Sequence, residues 1–150
     1  MHPAFALMGN ADSALDLFAY PSVGIASIDR EHAILAHAHA RVNQLINTER
    51  LDVASIDLAL EHLLTALLAH FEHEESEMKA AQYPYLPVHR RQHQRALEQL
   101  ALFMGRWHKQ RNIWALRDFI DGPFTDWFVR HIEVPDKMAA AFLLQQQEHT

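Results

Sequence analysis

The fold of this 150-residue chain is decided by residues 70–93, which read HFEHEESEMKAAQYPYLPVHRRQH. His70 and Glu74 are four residues apart, and so are His89 and His93, so each pair lies on one face of a helix. Two neighbouring helices that each present such a pair predict a shared polar site between them.

Two further segments supply polar groups of the same kind. His32 lies upstream, whereas His131 and Asp136 lie downstream. The stripes that carry these groups are otherwise apolar and step by three or four residues, as in helices that face a bundle core. The predicted stripes are Ile28, His32, Leu35, His39, Val42 and Ile46; Ile56, Leu60, Leu63, Leu67, His70 and Glu74; His89, His93, Ala96, Leu100, Phe103 and Trp107; and Ile113, Leu116, Ile120, Phe124, Trp127 and His131.

These stripes predict an all-α fold, an up-down-up-down antiparallel four-helix bundle over residues 28–143 with an N-terminal arm over residues 1–27. We expect a single domain over residues 1–150, because this length suffices for one hydrophobic core. Short connections make consecutive helices antiparallel, so the polar groups of all four stripes should meet at one end. The predicted helix starts are Ser27, Asp52 or Ser55, Pro87 and Asn112, and Tyr83-Pro84 is predicted to end the second helix.

The fourth helix should be irregular in two places. Gly122-Pro123 predicts a kink or a brief break. On a regular helix Asp136 would lie about 140° from His131, so both can face one site only if an extra residue is absorbed, as in a π-bulge. Pro135 has no N–H to donate to the carbonyl of His131, which lowers the cost of that departure.

Composition argues against several classes of protein. A net charge of −6 without any Lys/Arg run speaks against a nucleic-acid partner. The absence of cysteine excludes disulfides and thiolate ligands. No apolar run reaches the roughly 18–20 residues of a membrane span, and the N-terminus lacks the basic region of a signal peptide. A soluble, cytoplasmic protein is therefore expected.

Seven polar groups at one level of a core indicate a metal centre. A lone histidine on an apolar stripe is more often a hydrogen-bonded core residue than a ligand. Seven such groups, with no matching lysines or arginines, would each carry a large desolvation cost if unpaired, and a multivalent cation explains them together. Two carboxylates can bridge two ions, and imidazole suits iron, copper, zinc and nickel. The nitrogen-rich set favours keeping Fe(II) and binding oxygen over cleaving it.

The combined motif resembles the hemerythrin family over about residues 22–143. It consists of His32, His70-x3-Glu74, His89-x3-His93 and His131-x4-Asp136. The supporting pieces are Val23-Gly24-Ile25 before Ile28-Asp29-x2-His32-x2-Leu35, His70-Phe71-x2-Glu74-Glu75-x2-Met78, Tyr83-Pro84 and Trp127-x3-His131-Ile132. The resemblance implies two non-haem iron ions joined by an oxo or hydroxo bridge, with dioxygen binding at an open position on one of them. It also implies the ligands of each ion: His89, His93 and His131 for one, His32 and His70 for the ion with the open position, and Glu74 and Asp136 as bridges.

The chain departs from the family pattern at several positions. Ala36 stands where an aromatic residue is common, His39 stands at an apolar position, and the tryptophan that often precedes the Val-Gly-Ile segment is absent. His39 is predicted to face the interior about 10 Å along the axis from His32, too far to be a ligand. A hydrogen-bonded core role is favoured over proton supply or pocket gating.

The remaining histidines, acids and tryptophans receive structural interpretations. The histidines predicted to face solvent are His37, His62, His73, His108 and His149, and His2 is terminal. Glu72, Glu75 and Glu77 are predicted to form a solvated acidic face. Trp107, Trp114 and Trp127 are predicted to be core residues, with Trp127 close to His131.

The resemblance implies a non-enzymatic, reversible oxygen binder that serves carriage, storage or delivery to an oxygen-using protein. One alternative is an oxygen or redox sensor that signals through a protein partner. Another is a di-iron enzyme that reduces peroxide or nitric oxide. The side chains predicted to surround the open position are Leu35, Leu67, Ile120, Phe124 and Trp127.

Overall fold

Four helical rods make up the part of the chain that the computed structural model describes, residues 22–148. The first three are α1 (Ala26–Ile46), α2 (Val53–Ala80) and α3 (Leu86–Gln110). The fourth rod contains α4 (Ile113–Phe119), α5 (Thr125–His131) and α6 (Lys137–Glu148), joined by two π-helical turns, Ile120–Phe124 and Ile132–Asp136. The rods pack antiparallel, which confirms the predicted bundle. Most of the predicted N-terminal arm, residues 1–21, lies outside the described residues.

Two of the four rods start with a side-chain cap, whereas α1 and α3 do not, and α3 has Pro87 in its first turn as predicted. Asp52 and Asn112 precede α2 and α4, and their side chains accept hydrogen bonds from the backbone N–H groups of Ser55 and Ala115. The predicted cap at Ser27 is wrong, because α1 begins at Ala26 without a side-chain cap. The segment that precedes α1 is held instead by Asp29. Its carboxylate accepts hydrogen bonds from the backbone N–H of Val23 and the hydroxyl of Ser22, each at 2.8 Å.

The second helix ends slightly before the predicted Tyr83-Pro84 stop. Gln82 takes the left-handed backbone conformation with φ of 57°, so the last helical residue is Ala80. Pro84 bars helical geometry at the preceding residue, and the chain has already turned when it reaches that point. Tyr83 is buried against Phe142 in a small satellite core.

Both predicted irregularities of the fourth rod take the form of π turns. The turn that contains Gly122 and Pro123 keeps the helix continuous, and the carbonyl of Ile120 accepts the Thr125 hydroxyl at 2.7 Å. The predicted π-bulge between His131 and Asp136 is confirmed. An i→i+5 turn contains one residue more than an α turn. Each π turn therefore changes which side of the fourth rod points towards the core.

The core consists of the predicted stripes with local changes of register. Every predicted inward residue of the first two helices is buried. In α3 Met104 is buried and Phe103 is only partly so, and in α5 Phe128 takes the place that was predicted for Trp127. The prediction of a core Trp114 is wrong. Its side chain is 70% exposed because it directly follows the inward-facing Ile113, about 100° further round the helix.

By length and composition alone, α2 is apolar enough to cross a membrane, with a mean hydropathy of 1.3 over its most apolar window. One face of this helix is buried in the bundle and carries His70 and Glu74. Core helices of globular proteins satisfy the same criterion, so this is weak evidence for a membrane span.

Candidate metal centre

All seven residues singled out in the sequence lie at one end of the bundle and are at most 4% exposed. Each comes from a helix that approaches this end. His32 is near the start of α1, and His70 and Glu74 are in the second half of α2. The others lie in the first turns of α3, at the end of α5 and in the second π turn: His89, His93, His131 and Asp136. The antiparallel order of the rods places these segments together.

The second π turn brings Asp136 onto the face of His131. Five residues close roughly one turn in an i→i+5 helix, so the two side chains point the same way. His131 Nε2 lies 3.0 Å from Asp136 Oδ1. Pro135 is inside this turn, where its missing N–H leaves no α-helical bond to break.

The seven side chains form two overlapping clusters whose potential ligand atoms lie within 4.8 Å of one another. One cluster contains Glu74, His89, His93, His131 and Asp136. The other contains His32, His70, Glu74 and Asp136. Because Glu74 and Asp136 belong to both clusters, this arrangement can hold two metal ions that share two carboxylates.

The two carboxylates reach histidines on all four rods. Glu74 Oε1 lies 2.8 Å from His89 Nε2 and 3.1 Å from His93 Nε2, while its Oε2 lies 3.3 Å from His70 Nε2. Asp136 Oδ1 lies 2.9 Å from His89 Nε2, and its Oδ2 lies 3.4 Å from His32 Nε2. Nearly every contact therefore joins a carboxylate oxygen to an Nε2 atom.

Several of these buried atoms have no hydrogen-bond partner despite their proximity. They include Glu74 Oε2, Asp136 Oδ1, His93 Nε2 and His131 Nε2. Buried polar atoms are almost always paired, and leaving one unpaired costs about 1–3 kcal/mol. Carboxylate oxygens and imidazole nitrogens whose lone pairs converge without hydrogen bonds fit a transition-metal ion such as iron. The residues present therefore fit the group that the sequence motif implies.

The electrostatics of the cluster favour bound cations. Burial works against ionisation of Glu74 and Asp136, but attraction to the surrounding histidines outweighs it and holds the pKa of both carboxyls below the usual range. Burial also lowers the pKa of His89, yet the two carboxylates overcome it and raise that pKa to about 9. The same competition raises the pKa of His70. Two buried carboxylates thus attract protons onto the histidines, where metal ions would compete.

Aromatic rings fix the orientation of two histidines. Phe71 stacks on His93 with ring centroids 3.8 Å apart and planes 5° apart. Trp127 stacks on His131 at 4.5 Å and 12°. These contacts hold each imidazole between an apolar ring and the polar cluster, so its Nε2 atom has little freedom to turn away.

The structure corrects the predicted solvated acidic face. Glu72 and Glu77 are exposed, as predicted, but Glu75 accepts a hydrogen bond from His93 Nδ1 at 2.8 Å and another from Arg90 Nε at 2.9 Å. His73, predicted to face solvent, is partly buried in a short hydrogen bond with Glu31. Both contacts cross from one helix to another. The sequence signal for Glu75 is its place in the motif His70-Phe71-x2-Glu74-Glu75-x2-Met78.

The remaining histidine predictions divide into two outcomes. His37, His62 and His108 are exposed, as predicted, whereas His2 and His149 lie outside the described residues. His39 faces the interior, as predicted, with none of its surface exposed. Its Nε2 atom lies 3.0 Å from the Thr125 hydroxyl, which itself donates to the carbonyl of Ile120, so His39 is the donor to Thr125.

Comparison with known proteins agrees with this site. The family model described as Hemerythrin HHE cation binding domain matches residues 23–143. A protein named bacteriohemerythrin from Aquifex aeolicus (strain VF5) is 27% identical over 100 residues, which cover 66% of this chain and 76% of the relative. Another, from Ralstonia nicotianae (strain ATCC BAA-1114 / GMI1000), is 27% identical over 124 residues, covering 83% of this chain and 85% of the relative. No solved structure matched significantly.

Proposed function

Since the chain belongs to the hemerythrin family, we propose that it binds dioxygen reversibly at a pair of non-haem iron ions. The observation that carries the proposal is the convergence of five imidazoles and two carboxylates in two overlapping, buried clusters. The two relatives that are named bacteriohemerythrin support the same function.

The proposed ligand assignment follows the two clusters. His89, His93 and His131 would hold one ion, His32 and His70 would hold the other, and Glu74 and Asp136 would be shared by both. With three histidines for the first ion and two for the second, the second ion would have one ligand fewer. A pair of ferrous ions, when bound, supplies the electrons and the vacant position that reversible dioxygen binding needs.

The protein's own contribution is to keep this vacant position dry. Leu35 and Leu67 lie three residues from His32 and His70 on the same stripes, and both are buried. Ile120 and Phe124 are buried on the fourth rod and belong to the same apolar core. Such apolar side chains exclude water, which would otherwise promote irreversible oxidation.

We assign the protein to oxygen carriage, storage or delivery rather than to catalysis. In the described residues the carboxylates within the two clusters are Glu74 and Asp136, and both would serve as shared ligands. Of the outer acids, Glu75 is engaged by Arg90 and His93, and Glu31, which lies 3.4 Å from His70 Nδ1, is engaged by His73. Each of these carboxylates is thus already occupied, whereas a reductase needs an acid that can protonate a product. Sensing and reduction are the alternative outcomes of the experiment that follows.

The test is reconstitution with ferrous iron followed by alternating exposure to oxygen and to inert gas. We expect two iron ions per chain and an optical spectrum that changes with oxygen and returns when oxygen is removed. His89→Ala should lose iron, whereas the exposed His62→Ala serves as the matched control and should retain it. Immediate, irreversible oxidation would replace the carrier function with sensing or reduction, and a wild-type protein that retains no iron would refute the metal centre.

A further inference from the structure

Glu75 links the candidate metal centre to the protein surface, because each oxygen of its carboxylate accepts a hydrogen bond. Its Oε2 atom lies 2.8 Å from His93 Nδ1, and its Oε1 atom lies 2.9 Å from Arg90 Nε. His93 is 1% exposed, whereas the side chains of Glu75 and Arg90 are 21% and 46% exposed. A chain of hydrogen bonds therefore runs from a surface guanidinium to a buried imidazole.

The hydrogen bond decides which nitrogen of His93 can bind a metal. A carboxylate only accepts, so His93 must carry its proton on Nδ1 to bond Glu75. The Nε2 atom is then left with a lone pair, and it is this atom that lies 3.1 Å from Glu74 Oε1 inside the cluster. In the opposite tautomer the Nε2–H would point at the place where a cation would sit.

Sequence spacing explains why α2 and α3 supply both the residues of the cluster and the outer residues Glu75 and Arg90. Glu75 follows Glu74 directly and lies about 100° round α2, at the edge that faces α3. Arg90 lies three residues before His93 and thus on the same side of α3 as that histidine's outer nitrogen. The stacked ring of Phe71 covers the flat side of His93, so the imidazole edge is its remaining route to a polar partner.

The corresponding arrangement on the other cluster is different. Glu31 lies 3.4 Å from His70 Nδ1, a distance and orientation at which no hydrogen bond forms. Its carboxylate oxygen is instead engaged by His73. Glu75 therefore makes a direct hydrogen bond to its histidine, whereas Glu31 only approaches one.

We propose that Glu75 is a positioning residue for the metal centre, which fixes the tautomer and orientation of His93, and that Arg90 holds the Glu75 carboxylate in place. The proposal rests on the proposed function in so far as the bound cation is iron. Outer carboxylates that accept the second N–H of a ligand histidine typically contribute a factor of about 10–100 in metal affinity.

The first measurement is the tautomer of His93 in the metal-free wild-type protein, read from imidazole ¹⁵N chemical shifts at mildly alkaline pH. We expect the proton on Nδ1. A proton on Nε2 alone would overturn the proposal without any variant. This measurement also stands if Glu75 substitutions prevent folding.

The second measurement compares Glu75→Leu with Glu72→Leu, which removes the same charge from an exposed position of the same helix. Ferrous protein is titrated anaerobically with an iron chelator. Glu75→Leu should raise the iron dissociation constant about 10–100-fold and move the His93 proton towards Nε2, while Glu72→Leu changes neither. Glu75→Gln retains a carbonyl acceptor, so it should keep the tautomer and lose less affinity than Glu75→Leu.

Equal tautomer and equal iron affinity in Glu75→Leu and Glu72→Leu would overturn the proposal and leave the proposed function intact. The opposite combination is also informative. If the wild type holds no iron but the Glu75→Leu variant loses the Nδ1 tautomer of His93, the proposed function is refuted and the role of Glu75 in orienting His93 is supported.

Discussion

Replacing His39 with leucine should change the pH dependence of stability in a defined window. Burial lowers the pKa of this imidazole from 6.5 to about 4, against a smaller opposing effect of a hydrogen bond with the backbone of Ile120. Between these two pH values the unfolded chain binds one more proton at His39 than the folded protein does. The free energy of unfolding must therefore fall as the pH falls through this window.

The size of the effect follows from linkage. One bound proton corresponds to about 1.36 kcal/mol per pH unit. Because the unfolded imidazole is only half protonated at pH 6.5, His39 alone should remove about 1.6 kcal/mol of stability between pH 6.5 and pH 5. His39→Leu abolishes this contribution. It also removes the partner of the Thr125 hydroxyl, which costs about 1 kcal/mol at every pH, because that hydroxyl still donates to Ile120. The prediction therefore concerns the slope of the free energy of unfolding against pH, and not the constant difference in free energy between the two proteins.

The assay is urea denaturation of wild type and variant at several pH values from 5 to 6.5, with equal metal loading. Contributions of the metal centre are common to both proteins and cancel in the difference of slopes. His37→Leu removes an exposed histidine from the same helix and should leave the wild-type slope in place. Parallel pH dependences for wild type and His39→Leu would show that burial of His39 does not govern its protonation.

Three further predictions test packing and the irregular helix. Leu63→Ala, at a fully buried position, should lower the free energy of unfolding by about 2–5 kcal/mol, whereas Leu58→Ala at 68% exposure should change it by less than about 0.5 kcal/mol. Trp107→Ala, at 3% exposure, should cost about 3–5 kcal/mol, and Trp114→Ala at 70% exposure much less. Urea denaturation checks both pairs, and equal losses within a pair would contradict the burial pattern. Pro135→Ala restores an N–H that lets the second π turn relax towards α-helical geometry, so it should speed iron loss to a chelator, and unchanged retention would show that the turn does not depend on proline.

Helical periodicity is enough to predict the bundle and the residues that meet at the candidate site. Apolar residues at steps of three and four specify the buried face of each helix, and His70 and Glu74 continue that face without a break in the pattern. The spacing of His131 and Asp136 also required the second π turn, because a regular helix would separate them by about 140°. Periodicity is a local property, so it can be read without knowledge of the neighbouring helices.

The contacts around that face depend on how the helices pack against one another. Glu75 and Trp114 both lie one residue beyond an inward position, at the edge of a stripe. There, burial depends on whether an adjacent helix offers a partner. Glu75 meets His93 and Arg90 across the gap between α2 and α3, whereas Trp114 lies on the outside of the fourth rod. Helical periodicity fixes the direction of a side chain on its own helix, but the contact it makes depends on the distance and register of another helix, and no single stripe contains that information.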